Sequence, residues 1–117
     1  MSLILHHFQN EFPNLDKILY IDADIIIKDD ITELYNKCDI NKLPFYAVNV
    51  GTFKGRRDIY DTRPYDNNAP YFNAGLYITS LNYWRNNNLK FKIIEIMKKH
   101  KKSKKGLFKL GTQPILN

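Results

Sequence analysis

Asp22 and Asp24 carry the strongest chemical signal in this chain of 117 residues. They interrupt a hydrophobic stretch, with Ile18-Leu19-Tyr20-Ile21 before them and Ile25-Ile26-Ile27 after. Two carboxylates at i and i+2 of an extended chain project to the same side. Hard oxygen donors placed this way suit one hard divalent cation, and that cation can hold a diphosphate. The flanking runs are apolar and β-branched, as in a buried strand of an α/β sheet. Ligands of such sheets sit just beyond the carboxyl ends of the strands. An Asp-x-Asp tripeptide is short, however, and the chain has nine Asp. Its plain reading is a strand end followed by a polar turn, so the surroundings must decide.

The elements that position these acids read as alternating strands and helices. A short helix over 3–11 stops before Pro13, and strands at 17–22 and 25–28 flank the acids. Asp29, Asp30 and Thr32 supply capping groups for a helix near 31–36. A strand at 45–50 follows Pro44. Gly51, Gly55, Pro64 and Pro70 mark a long loop over 51–70, of a length that compact domains keep for a use. Tyr71 to Thr79 reads as a strand, and Ser80 as the N-cap of a helix through Trp84. Residues 89–102 read as a helix whose Phe91, Ile94 and Met97 stripe, with Ile93 and Ile96 beside it, faces a core. Thr112 or Gln113 starts a further helix, with Pro114 in its first turn. This alternation implies an α/β domain with a mostly parallel sheet.

Composition narrows the class. The 44% hydrophobic and 14% aromatic content supports a packed core and argues against disorder. No apolar run reaches bilayer-spanning length and no signal-peptide pattern opens the chain, so a cytoplasmic location is expected, with an inner-membrane periphery as its variant. Cys38 is the only cysteine and has no partner for an internal disulfide. The net charge of +6 is local, because residues 96–117 hold seven Lys and no acid. A duplex-binding face would spread its bases and add residues that read nucleobases, so no nucleic-acid partner is expected. The Lys cluster reads as a solvated helix end suited to the helix dipole, with contact to an anionic membrane surface as the alternative.

Three segments together resemble the retaining glycosyltransferases of family 8, which include glycogenin and bacterial lipopolysaccharide galactosyl- and glucosyltransferases. Lys17-Ile-Leu-Tyr-Ile-Asp-Ala-Asp-Ile25 resembles the family's metal-binding segment. Tyr71-Phe-Asn-Ala-Gly-Leu-Tyr-Ile-Thr-Ser-Leu-Asn-Tyr-Trp-Arg85 is similar to its F-N-[AS]-G segment and the W-R that follows. Gln113-Pro-Ile-Leu-Asn117 resembles its D-Q-x-x-L-N segment, with Thr112 where the family usually has Asp. The resemblance implies a Rossmann-like GT-A nucleotide-diphospho-sugar transferase fold over one partial catalytic domain, 1–117. The N-terminal nucleotide-binding unit and a C-terminal part, including a His metal ligand, would lie outside it.

By position, the resemblance implies that Asp22 and Asp24 bind Mn²⁺ (or Mg²⁺) and, through it, the donor diphosphate. Ala23 would contribute backbone near the ribose, while Asn73, Ala74 and Gly75 would line the donor-sugar pocket. Asn73 would bond a sugar hydroxyl, and Gln113 would sit near the reacting carbon. The implied reaction moves a hexose from a UDP-sugar to a hydroxyl of a glycan or lipid-linked acceptor, in glycan or lipopolysaccharide synthesis. Read as residues alone, Asn73 equally satisfies a sheet edge, Gly75 marks a bulge, and Gln113 is a first-turn surface residue.

Two other functions compete. A haloacid-dehalogenase-like phosphatase also places an Asp-x-Asp after a hydrophobic strand, but it wants small residues where this chain has Ile25-Ile26. A non-catalytic or truncated module packing against a partner chain is the other. As a partial domain of the family it resembles, the isolated chain leaves a sheet edge and an apolar face uncovered and is expected to self-associate; without the uracil-binding unit and the further metal ligand it is expected to be inactive.

Overall fold

The computed structural model describes residues 11–52, 54 and 68–102. The expected helix over 3–11 before its last residue, nearly all of the 51–70 loop outside its ends, and the Thr112–Gln113 helix start lie outside these residues. The described chain is mixed α/β. Its strands are β1 (Lys17–Ile21), β2 (Phe45–Thr52) and β3 (Pro70–Ser80), and its helices are α1 (Ile31–Lys37), α2 (Leu81–Asn86) and α3 (Leu89–Lys102).

The sheet corrects one expectation. Its order is β1-β3-β2, and β3 runs antiparallel to both neighbours. β1 and β2 therefore share a direction, as the α1 crossover between them suggested, but β3 is inserted between them in the opposite sense. Local patterns fix which residues are extended, whereas partner choice is decided by long-range packing.

The expected strand at 25–28 is also absent. The Ile25 amide donates to the Asp22 carbonyl at 3.2 Å, closing a turn that carries the chain off the sheet. Ile26 is left 82% exposed. β-branched side chains favour an extended chain, but no described strand offers this segment a ladder.

Helix boundaries follow their caps. Asp30 accepts from the Thr32 amide at 2.8 Å and opens α1. Ser80 accepts from the Tyr83 amide at 3.2 Å and opens α2. Asn88, at φ 53°, turns the chain between α2 and α3 in the left-handed region that Asn tolerates better than most residues.

The core lies on one face of the sheet. Tyr77, Trp84 and Ile93 are buried together, with Ile18, Tyr20, Phe45, Leu89, Ile96 and Met97 packed around them. Each large side chain so covered stabilises the fold by about 1.5–3 kcal/mol. The α3 stripe is thus shifted from the expected one: Ile93, Ile96 and Met97 face the sheet, while Phe91 is 64% exposed. Both choices keep helical spacing, and the short Asn87-Asn88 link sets which one meets Trp84. Trp84 Nε1 donates to Thr79 Oγ1 at 2.9 Å, and Thr79 donates onward to the Pro44 carbonyl at 2.9 Å. Arg85 donates to the carbonyls of Phe12 and Leu15, pinning the approach to β1. The Trp-Arg pair therefore locks the scaffold together.

On the opposite face, Leu34 and Cys38 meet Leu19, Tyr46, Leu76 and Ile78 around a cavity of about 210 Å³. Cys38 is buried and free.

Candidate functional site

The carboxyl ends of β1 and β2 meet the first half of β3 at one end of the sheet, and of the sequence-marked residues Asp22 to Asp24 and Asn73 to Gly75 gather there. Asp22 is the first residue beyond β1. Its amide donates to the Gly75 carbonyl at 2.8 Å, extending the β1–β3 pairing by one rung. Asp24 lies two residues on, within the turn rather than on an extended strand as expected. Asp22, Ala23 and Asp24 are all exposed. No described residue donates to the Asp24 carboxylate, and among the described residues no group of three His, Cys, Asp or Glu forms.

Opposite the acids, β3 is irregular. Its pairing with β2 jumps from Ala47↔Tyr77 to Val48↔Asn73, so Ala74, Gly75 and Leu76 bulge away from β2. A bulge leaves backbone groups without ladder partners and re-aims the strand. Here the Gly75 amide finds a local partner, donating to Asn73 Oδ1 at 2.7 Å. Asn73 is exposed, whereas Ala74 and Gly75 are buried. One structural reading of the sequence is realised and one corrected: Gly75 sits in a bulge, but Asn73 lies on the central strand rather than at a sheet edge, and it bonds the bulge's own amide. Neither uses the Asn73 side-chain NH₂, which no described residue accepts from.

Asp22 also crowds β3 at Gly75. A Cβ built on Gly75 would stand 3.0 Å from Asp22 Oδ2 and 3.0 Å from Asn73 Oδ1. The glycine leaves room for both polar groups at once. On β2 the same device recurs in Asn49-Val50-Gly51. The Gly51 amide donates to Asn49 Oδ1 at 2.7 Å beside a second register shift, and Gly51 has φ 114°, which favours glycine. This paired Asn-x-Gly pattern was readable in the sequence and was not singled out there.

Tyr20 was also missed as a site residue. Its hydroxyl donates to Asp22 Oδ1 at 2.7 Å. This bond, with burial and the carboxylate's charge, raises the Tyr20 pKa above its ordinary value. Tyr77 beneath it is pushed up further, chiefly by burial. Tyr20 stands two residues before Asp22 in an extended run, so period-two spacing places it on the same face.

Gln113 lies outside the described residues. The lysines of the basic run that are described, Lys98, Lys99, Lys101 and Lys102, are exposed along the end of α3. No described helix is long and apolar enough to cross a membrane.

Comparison with known proteins gives the family and the fold. The family model described as glycosyl transferase family 8 matches residues 6–117. Probable galacturonosyltransferase-like 9 of Arabidopsis thaliana is 29% identical over 122 residues, covering 87% of this chain and 28% of its own length. Glycosyltransferase GlyA of Streptococcus pneumoniae serotype 4 is 26% identical over 95 residues, covering 81% of this chain and 12% of that protein. The crystal structure of the glycosyltransferase GlyE from Streptococcus pneumoniae TIGR4 matches the fold over 100% of this chain and 25% of its own, with a TM-score of 0.64 at 24% identity. The chain spans 28% or less of the length of each of these relatives.

Proposed function

Because the chain belongs to glycosyl transferase family 8, we propose that it supplies the donor-binding part of an enzyme that moves a hexose from a UDP-sugar to an acceptor hydroxyl, with retention at the anomeric carbon. The acceptor class is a glycan or a lipid-linked sugar. The observation that carries this reading is the meeting of the acid turn and the Asn73–Gly75 bulge, with Asp22 Oδ2 3.0 Å from the position of the missing Gly75 Cβ. Family membership leaves the phosphatase reading without support.

The donor set fits a divalent cation. Asp22 and Asp24 offer hard carboxylate oxygens, which suit Mn²⁺ or Mg²⁺ rather than a thiolate-seeking metal. Asp22 Oδ2 has no described donor, and the glycine opposite keeps its surroundings open. Charge makes the same point. A carboxylate and a phosphate oxygen about 4 Å apart repel by about 4 kcal/mol at a protein surface, so two acids alone would reject a diphosphate. When bound, the cation supplies positive charge to the departing UDP.

The chain's own residues do the rest. Asp22 and Asp24 hold the cation at the end of β1. The Asn73 NH₂ is free to donate to a sugar hydroxyl while its carbonyl remains bonded to Gly75. Buried Ala74 and Gly75 keep the pocket wall low. Gln113 remains the candidate beside the reacting carbon, on its motif alone.

The test is hexose transfer from radiolabelled UDP-glucose and UDP-galactose by the intact protein, with Asp22→Asn and Asp24→Asn in parallel. Metal-dependent release of UDP that both substitutions lower by two or more orders of magnitude supports the reading. UDP release by either variant at the unsubstituted rate contradicts it.

A further inference from the structure

We propose that Tyr20 is a positioning residue of the donor site: its hydroxyl holds the Asp22 carboxylate in the orientation that receives the cation. The inference rests on the metal-binding reading of Asp22 and Asp24.

Asp22 lies just beyond the end of β1 and is exposed, so packing does not fix its side chain. The 2.7 Å bond from Tyr20 to Oδ1 is its only described side-chain hydrogen bond. Tyr20 itself is held firmly. Its ring stacks on Tyr77, its cross-strand partner, with centroids 4.8 Å apart and planes 14° apart. Tyr77 is 2% exposed and stacks in turn on Phe45 at 5.2 Å. The core under the sheet thus reaches an exposed carboxylate through three rings and one hydroxyl.

Two consequences follow. Asp22 Oδ1 is occupied, so Oδ2, the oxygen facing Gly75, is the one left free of a described donor. The rotamer entropy of Asp22 is also spent on folding rather than on binding, which favours affinity. A donor to a carboxylate withdraws some charge and weakens each metal bond. Orientation by outer-shell partners nonetheless dominates in metal sites generally, where their loss lowers affinity about 10- to 100-fold.

Tyr20→Phe keeps the ring and its stack and removes only the hydroxyl. Mn²⁺ affinity of the intact protein, read from the electron paramagnetic resonance signal of the free ion, would be compared for the unsubstituted, Tyr20→Phe and Asp22→Asn proteins, with metal-free melting temperatures alongside. The expected result is Mn²⁺ binding lost in Asp22→Asn and weakened about 10- to 100-fold in Tyr20→Phe, at unchanged melting temperature. Binding lost in Asp22→Asn but within threefold of normal, or tighter, in Tyr20→Phe overturns the role of Tyr20 and leaves the metal site standing. A weakened Tyr20→Phe protein that also melts well below the unsubstituted one makes the tyrosine structural and overturns it too. Normal binding in Asp22→Asn overturns the metal site itself.

Discussion

Asp22 and Gly75 touch twice across the β1–β3 pairing. The Asp22 amide donates to the Gly75 carbonyl at 2.8 Å, and Asp22 Oδ2 occupies space that a Gly75 side chain would need. Gly75→Ala would place a methyl 3.0 Å from both Asp22 Oδ2 and Asn73 Oδ1. Both contacts are ends of short side chains, so the fold yields by moving them. The expected outcome is a loss of about 1–3 kcal/mol in urea unfolding, as for mild overpacking. Mn²⁺ and donor affinity should fall by at least tenfold, because both displaced groups belong to the site. Calorimetric titration on the same sample checks the second half.

Asn73 has two ends with separable duties. Its carbonyl accepts from the Gly75 amide at 2.7 Å, and its NH₂ is the proposed donor to the sugar. Asn73→Asp keeps an acceptor for the amide and removes the NH₂, so that bond should hold, at some cost from repulsion by the Asp22 carboxylate nearby, while UDP-hexose affinity drops. Asn73→Ala removes both, leaving the Gly75 amide without its partner at a cost of about 1–3 kcal/mol. Thermal unfolding and donor titration of the two variants together separate the duties. Equal donor affinity in Asn73→Asp and the unsubstituted protein would remove the sugar contact.

Much of the scaffold was legible. Asp30 and Ser80 marked helix starts because a side-chain acceptor is a local device, and α3 spans 89–102 as its pattern indicated. The sense of β3 was not legible, since Tyr71–Thr79 alternates the same way in either direction. Ile25–Ile27 misled because β-branching signals an extended chain without supplying a partner strand. Of the site, Asp22, Asn73 and Gly75 could be named from their motifs, and the structure brings them together. Tyr20 was hidden by its ordinary membership of an apolar strand, because nothing in a lone tyrosine shows which neighbour its hydroxyl reaches.

Asp30 gives α1 a pH signature. Bonds from Thr32 hold the Asp30 carboxyl below its ordinary 3.8. The folded state therefore favours the charged form, and the cap's contribution is fully present above pH 3.8 and lost as pH falls through the lower folded value. Asp30→Asn caps without titrating. The stability difference between the two proteins should be constant at neutral pH and should shift against the unsubstituted protein in acid. Urea unfolding from pH 2 to 7 reads this directly.

The central claim is that the acid turn and the Asn73–Gly75 bulge form one donor site joined by a cation. Its most direct measurement is the affinity of the intact protein for UDP-hexose, by calorimetric titration with and without Mn²⁺, for the unsubstituted protein and for Asp22→Asn/Asp24→Asn. Donor binding that strengthens at least tenfold with Mn²⁺, and loses that response in the double variant, is the expected result. Donor binding that is tight without Mn²⁺, or that keeps its response to Mn²⁺ when both acids are replaced, would contradict the claim.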